Sequence, residues 1–137
     1  MVKSEAMGIL LEGKEALWLP LLSGSMAPAL LPGDELYIDP QRRTPRRGEI
    51  AVFFREGRFF SHRVLFSFRW GTSRFLCEKG DANSSARFIA EKKVLGTVLR
   101  FKRNGLETDL TSAEAVRFSK KLARRSFFRL WKIRRWR

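Results

Sequence analysis

A short segment near the N-terminus carries the residues best suited to chemistry. Ser25 offers a hydroxyl nucleophile on a turn of small residues, and Gly24 lets that backbone approach a substrate carbonyl closely. Ser23, two positions earlier, can donate a second hydrogen bond to an oxyanion. Segments rich in Ser, Gly and Pro are also typical of simple turns. The case for a nucleophile therefore depends on the rest of the chain.

A serine hydroxyl is a poor nucleophile until a neighbouring base takes its proton. An unperturbed imidazole, with a pKa of about 6.5, can do so near neutral pH. His62 is the only histidine in the chain, so a histidine base must be His62. Such a base also needs a carboxylate that holds its ring in the correct tautomer.

A structural interpretation of His62 is also open. Strand alternation over Phe60–Phe68 puts His62 on the same face as Phe60, Val64, Phe66 and Phe68. A lone histidine on such a face is usually a core residue.

Other segments follow in an order that supports the catalytic interpretation: Gly48–Phe53, Ser61–Val64, Lys79–Asn83 and Val94–Val98. From about Leu17 to Arg100 this succession resembles the type I signal peptidase and LexA-like serine peptidase superfamily. Within it, the His-Arg-Val tripeptide resembles the branch whose general base is histidine, as in SipW-like and archaeal signal peptidases.

The resemblance implies a signal peptidase-like serine endopeptidase that acts on a peptide or protein. Its motifs imply Ser25 as the nucleophile, His62 as the base and Asp81 as the third member of the triad, with Ser23 and Ser25 at the oxyanion. Asp81 follows Gly80, so a role as a turn residue stays open for it.

Two further positions bear on the resemblance. Asp34 matches the Gly-Asp of the first family motif, and we expect it to shape the turn near the nucleophile. Several histidine-type relatives carry a second acidic residue about six positions after the Gly-Asp motif, where this chain has Arg87. Either Asp81 orients the base alone, or the chain is a peptidase-like binding module without activity.

The pattern of the chain predicts a mainly β, largely antiparallel fold of the signal peptidase/LexA-like type. Seven strands are predicted, over Leu17–Leu22, Glu35–Ile38, Glu49–Phe54, Arg58–Phe68, Arg74–Lys79, Val94–Arg103 and Leu106–Leu110. Glu56-Gly57, Gly71 and Asn104-Gly105 indicate hairpins, the last of type I′. We expect a peptidase-like domain over residues 1–110 and a separate segment over 111–137. No spacing indicates a metal site or cofactor, and a single cysteine, Cys77, excludes an internal disulfide.

No apolar segment before Ser25 is long enough to cross a membrane. Met7–Leu11 is too short, and charged residues interrupt the pattern around it. A short helix around Glu5–Leu11 and a cytoplasmic location are the expectations.

The C-terminal segment is strongly basic. Ala115–Arg137 contains ten Lys or Arg and no acidic residue, within a chain of net charge +14. Thr111 and Glu114 form a capping-box pattern that predicts the start of an amphipathic helix. With Trp131 and Trp136 on it, this helix favours an anionic membrane surface, with an acidic protein partner and then nucleic acid as the alternatives.

Overall fold

The computed structural model describes residues 3–135, with only the backbone described for residues 3, 4, 6 and 131–135. An eight-stranded antiparallel sheet forms most of the fold, followed by a long C-terminal helix. The predicted mainly β fold is confirmed. The elements are α1 (Lys3–Glu12), β1 (Leu17–Pro20), β2 (Glu35–Asp39), β3 (Ile50–Arg55), β4 (Arg58–Trp70), β5 (Ser73–Lys79), β6 (Arg87–Ala90), a 3₁₀ turn (Glu91–Lys93), β7 (Val94–Arg103), β8 (Leu106–Asp109) and α2 (Ala113–Arg135).

The strands lie in the order β1-β2-β7-β3-β4-β5-β6, and β8 also pairs with β7. Strand β7 therefore joins the N-terminal strands to the β3–β4–β5 meander. Strand β6 was not predicted from the sequence. It is four residues long and two of its side chains are exposed, so its apolar alternation is too short to be recognised as a strand in the sequence.

Two of the predicted hairpin turns have the backbone that their sequences require. Both Glu56 and Gly57 have positive φ angles, of 51° and 75°. Asn104 and Gly105 repeat this geometry, at 51° and 78°. Two consecutive positive φ angles define the type I′ turn, whose twist matches that of the flanking strands. The type I′ prediction at Asn104-Gly105 is confirmed.

The turn that carries Ser25 is fixed to the core by the apolar residues that follow it. Met26 is fully buried and Leu30 is 1% exposed, and both pack in the same cluster as Leu36. The amide of Leu30 donates to the carbonyl of Met26 at 3.0 Å. Burial of these two side chains holds the small-residue turn against the sheet.

The face pattern of β4 differs from the prediction. The register with β5 shifts between Val64 and Phe66, which is the signature of a β-bulge. Leu65 packs with Ala123 of α2, and Phe66 lies against the same cluster. The expectation that His62 shares one face with Phe66 and Phe68 is wrong, because the bulge interrupts the alternation after Val64.

Helix α2 packs on β4 through one narrow face. Ala123 is fully buried and Ser126 is 7% exposed. The helix begins one residue later than the capping box predicts: the amide of Ala115 donates to Ser112 Oγ at 3.1 Å, while Thr111 Oγ1 donates to Asp109. Thr111 is therefore not the N-cap.

Gly48 lies where a loop approaches the backbone of α2. Its φ of +91° is rare for residues with side chains. A Cβ atom here would lie 2.8 Å from both the Lys120 nitrogen and the Ser119 carbonyl carbon. Only glycine allows the helix this close.

As far as α1 and α2 are described, neither has the length and apolar composition that a bilayer-spanning helix needs.

Asp34 has the structural role expected of it. Its side chain is 2% exposed and accepts hydrogen bonds from Arg103 Nε at 2.8 Å and Arg103 Nη2 at 2.7 Å. The amide of Leu31 donates to the same carboxylate at 2.8 Å. These bonds, above all those from Arg103, lower the pKa of Asp34 below its usual 3.8.

We predict that Asp34→Asn lowers the free energy of unfolding by about 2 kcal/mol at neutral pH, because charged hydrogen bonds to a buried carboxylate are lost. A lowered folded-state pKa gives stability that is present above the unfolded pKa and lost as the pH falls through the folded value. The difference from the native chain should therefore shrink below about pH 4. Urea unfolding at several pH values measures this difference in stability, with Glu35→Gln at an exposed carboxylate as the control. A difference that persists unchanged at pH 2 contradicts the assignment.

Candidate active site

The two serines of the N-terminal turn lie side by side. Ser25 is half-buried, and its Oγ lies 3.2 Å from Ser23 Oγ. The carbonyl of Ser25 accepts a hydrogen bond from the Ala82 amide at 2.9 Å. The turn is thereby fixed to the segment that follows β5, and both hydroxyls are positioned at one site.

Gly80 makes this contact possible. A Cβ atom at position 80 would lie 2.6 Å from the Ser25 carbonyl oxygen, 2.7 Å from Asn83 Nδ2 and 3.0 Å from Ser25 Cβ. Such distances are shorter than real Cβ contacts, so the glycine serves close approach here. The Gly-Asp motif and the Ser25 turn are in direct contact.

His62 is 6% exposed and is bound on one side only. Its Nδ1 lies 2.5 Å from Glu78 Oε2, and Arg55 Nη2 donates to the other carboxylate oxygen at 3.3 Å. The ring packs edge-on against Phe53 and Phe60. Its Nε2 is buried and has no hydrogen-bond partner among the described residues. When Nδ1–H donates to Glu78, the Nε2 lone pair is available to accept a proton.

Asp81 does not orient His62, and that prediction is wrong. Its two carboxylate oxygens accept hydrogen bonds from Arg63 Nε at 2.8 Å and Arg63 Nη2 at 2.7 Å. Consecutive side chains of a strand point to opposite faces. Arg63 therefore holds Asp81 on the face opposite His62, and Glu78 is the carboxylate that binds the imidazole.

The serine turn and His62 approach the same end of β5. Arg63 pairs with Lys79, so continuing this register by one residue sets His62 across from Gly80. Asn83, which lies beside Gly80, lines the same pocket as His62. Ser25 Oγ and His62 Nε2 nevertheless form no hydrogen bond. The structure brings the predicted nucleophile and base to one region without joining them.

A buried lysine lies on the other side of the strand. Lys79 is 2% exposed, and its Nζ donates to the Gly80 carbonyl at 3.1 Å. Burial lowers the pKa of Lys79 and nearby Arg129 lowers it further, while Asp81 opposes the change. An amine with a lowered pKa is a possible base for serine chemistry, although Lys79 shares the Arg63 face.

Glu78 and Lys79 were not identified from the sequence. Both are almost fully buried at the end of β5, where charged residues are uncommon without a partner. Charged side chains at the end of an apolar strand were the available signal. The diagonal relation of Glu78 to His62 depends on the register of β4 with β5, which sequence alone does not give.

No protein-family model matches the chain, and a comparison with curated proteins returns no match.

We predict that Gly80→Ala destabilises the fold by about 1–3 kcal/mol, because the new methyl group overlaps the Ser25 backbone. Gly24→Ala is the matched control, because Gly24 lies in the turn that carries Ser25 and a Cβ atom at position 24 meets no atom within 4 Å. We expect Gly24→Ala to leave stability nearly unchanged. Urea unfolding of both variants measures the difference, and equal effects at the two positions contradict the described contact.

Proposed function

We propose that this protein is a serine endopeptidase similar to signal peptidase I, with Ser25 as nucleophile and His62 as general base. Glu78 replaces Asp81 as the carboxylate that orients the base. The observation that carries the proposal is the state of His62: a buried imidazole with Nδ1 on a carboxylate and Nε2 unpartnered among the described residues. A general base of a serine hydrolase needs this arrangement.

In the proposed reaction, Ser25 Oγ turns from Ser23 toward the substrate and bonds to the carbonyl carbon as its proton passes to His62 Nε2. The carbonyl oxygen becomes an oxyanion, which the Ser23 hydroxyl and the Ser25 amide stabilise by hydrogen bonds. The peptide C–N bond then breaks, and the leaving amine takes the proton from His62. Water cleaves the resulting ester with His62 again as base, which restores the Ser25 hydroxyl.

Glu78 supports this cycle at both stages. It accepts the Nδ1–H of the neutral ring and stabilises the imidazolium that forms when Ser25 loses its proton. Glu78 is 1% exposed, so little water screens this interaction. Arg55 donates to the second carboxylate oxygen of Glu78 at 3.3 Å, so both oxygens of this buried side chain have a partner.

A peptidase-like binding module is the second candidate. It is favoured by the hydrogen bond of Ser25 Oγ to Ser23 instead of His62. A domain of this kind would engage a peptide, a membrane or nucleic acid and would need no working base.

We predict that a serine-reactive fluorophosphonate labels the native chain at Ser25. Ser25→Ala should abolish labelling and His62→Ala should nearly do so, since members of a catalytic unit each contribute almost the whole effect. Glu78→Gln should slow labelling by about 10²–10⁴-fold through loss of the correct tautomer. Labelled-peptide mass spectrometry and circular dichroism check the site and the fold.

Two controls separate this mechanism from its competitors. Asp81→Asn removes a carboxylate on the opposite face but keeps a side-chain oxygen that can accept a hydrogen bond from Arg63, so the segment behind Ser25 keeps part of its anchor. We expect it to slow labelling less than Glu78→Gln at equal folded fraction. Lys79→Met tests the buried amine, and we expect it to retain labelling. Full labelling of His62→Ala together with its loss in Lys79→Met would overturn the histidine mechanism, and an unlabelled native chain would favour the binding module.

We further propose that α2 attaches this peptidase to an anionic membrane surface from the cytoplasmic side. Phe118 is 59% exposed and Phe128 is 54% exposed, while Glu114 is the only acidic residue of the helix. The exposed cations among its described side chains are Arg117, Lys120, Lys121, Arg124, Arg125 and Arg129. Exposed aromatic rings among cations are typical of interfacial helices. Trp131 and Trp136, which also motivate this proposal, have side chains outside the described residues.

We predict that the chain sediments with vesicles containing phosphatidylglycerol and releases them at high salt, since each basic residue near such a surface contributes about 1 kcal/mol. Phe118→Ala/Phe128→Ala should weaken sedimentation by removing insertion, while Trp70→Ala, 76% exposed in the β4–β5 hairpin, should not. No sedimentation at low salt would rule out the membrane and leave an acidic protein partner or nucleic acid.

A further inference from the structure

We infer that the pocket beside His62 recognises an acidic side chain of the substrate. The inference rests on the proposed function and specifies its substrate class. The pocket has a volume of about 280 Å³, and its lining includes His62, Glu78 and the three arginines Arg55, Arg58 and Arg87. We call it the His62 pocket. It is the candidate specificity pocket because the proposed base forms part of its wall.

The arginines of the His62 pocket differ in how they are paired. Arg55 forms a salt bridge with Glu78 and lies over the rings of Phe53 and Phe60. Arg58 and Arg87 are exposed and form no salt bridge with a carboxylate of the described residues. Arg58 also lies over the Phe60 ring, 5.9 Å from its centroid. Two guanidinium groups without a carboxylate partner among the described residues therefore line the pocket beside the proposed base.

The register of β5 with β6 explains why Arg87 is available. Arg87 lies directly opposite Glu78, and opposed residues share a face of the sheet. The Glu78 oxygens bind His62 and Arg55. Arg87 therefore forms no salt bridge with Glu78, although the two residues are opposite each other. Glu56 is the remaining carboxylate of the pocket lining; it is exposed and forms no salt bridge among the described residues.

A carboxylate matches this pocket better than a neutral or basic group. Guanidinium groups bind carboxylates through paired, charge-assisted hydrogen bonds, and Asn83 and Ser85 add neutral donors to the lining. A substrate lysine would meet Arg58 and Arg87 and lose affinity by repulsion.

The test uses three peptides as probes and the Ser25→Ala variant, which prevents turnover. The probes are acetyl-Ala-Ala-Glu-Ala-Ala-amide, the same peptide with Gln in place of Glu, and the Gln peptide with an unblocked C-terminus. His62 is the only histidine, so its imidazole C–H signals in NMR report binding without assignment when the protein carries no histidine tag.

We expect the Glu peptide to shift these signals saturably with about tenfold or greater affinity over the Gln peptide, as charged hydrogen bonds allow. Arg58→Gln/Arg87→Gln should reduce the Glu peptide to the level of the Gln peptide. Arg47→Gln/Arg69→Gln removes the same charge from exposed positions that do not line the pocket, and it should keep the preference.

Equal affinity for the Glu and Gln peptides, no shift with either, or equal loss in both double variants would overturn the inference. Tight binding of the Gln peptide with an unblocked C-terminus would overturn it in favour of a terminal carboxylate. Fluorophosphonate labelling of the native chain is a separate measurement that tests the proposed function. Preference for Glu without labelling contradicts the proposed function and leaves the pocket assignment standing, whereas labelling without that preference contradicts the pocket assignment alone.

Discussion

The ion pair between Arg63 and Asp81 holds the candidate site together. The Arg63 side chain is 2% exposed, and its third hydrogen bond goes to the Gly48 carbonyl at 2.7 Å. One guanidinium therefore ties β4 to the loop before β3 and to the segment after β5. That segment supplies the Ala82 amide to Ser25, so the position of the proposed nucleophile depends on the pair. A buried charge left without its partner costs several kcal/mol, and loss of either side chain would disturb all three segments.

The two carboxylates of this region, Asp81 and Glu78, bind partners on opposite faces of the sheet. Asp81 serves the face with Arg63 and Lys79, where it balances cations and fixes a loop. Glu78 serves the face with His62, where its Oε2 lies 2.5 Å from Nδ1 of the chain's lone imidazole. A motif in the sequence identifies a carboxylate near the site, but it does not say on which face that carboxylate lies. The roles follow from the pleat of β4 and β5.

How far the sequence predicts this fold depends on the range of each interaction. Local signals sufficed for the Asn104-Gly105 turn, for most of the strands and for the C-terminal helix, because turn chemistry and apolar alternation are properties of neighbouring residues. The bulge after Val64 was not predicted, since it depends on the pairing of two strands. The same limit explains why Ser25 and His62 were recognised as candidates while Glu78 was not. Glu78 can bind His62 only when β4 and β5 pair, because the two residues are sixteen positions apart in the chain.

The close approach of α2 to Gly48 has a consequence for how the protein would work on a lipid surface. The helix backbone touches a loop whose carbonyl is held by the same arginine that secures the segment behind Ser25. Contacts through Gly48, Arg63 and the segment after β5 thus connect α2 to the proposed nucleophile. On the proposed attachment, these contacts would fix the distance of Ser25 from the headgroups, and the proposed peptidase would then cut only scissile bonds that lie at that distance from the bilayer.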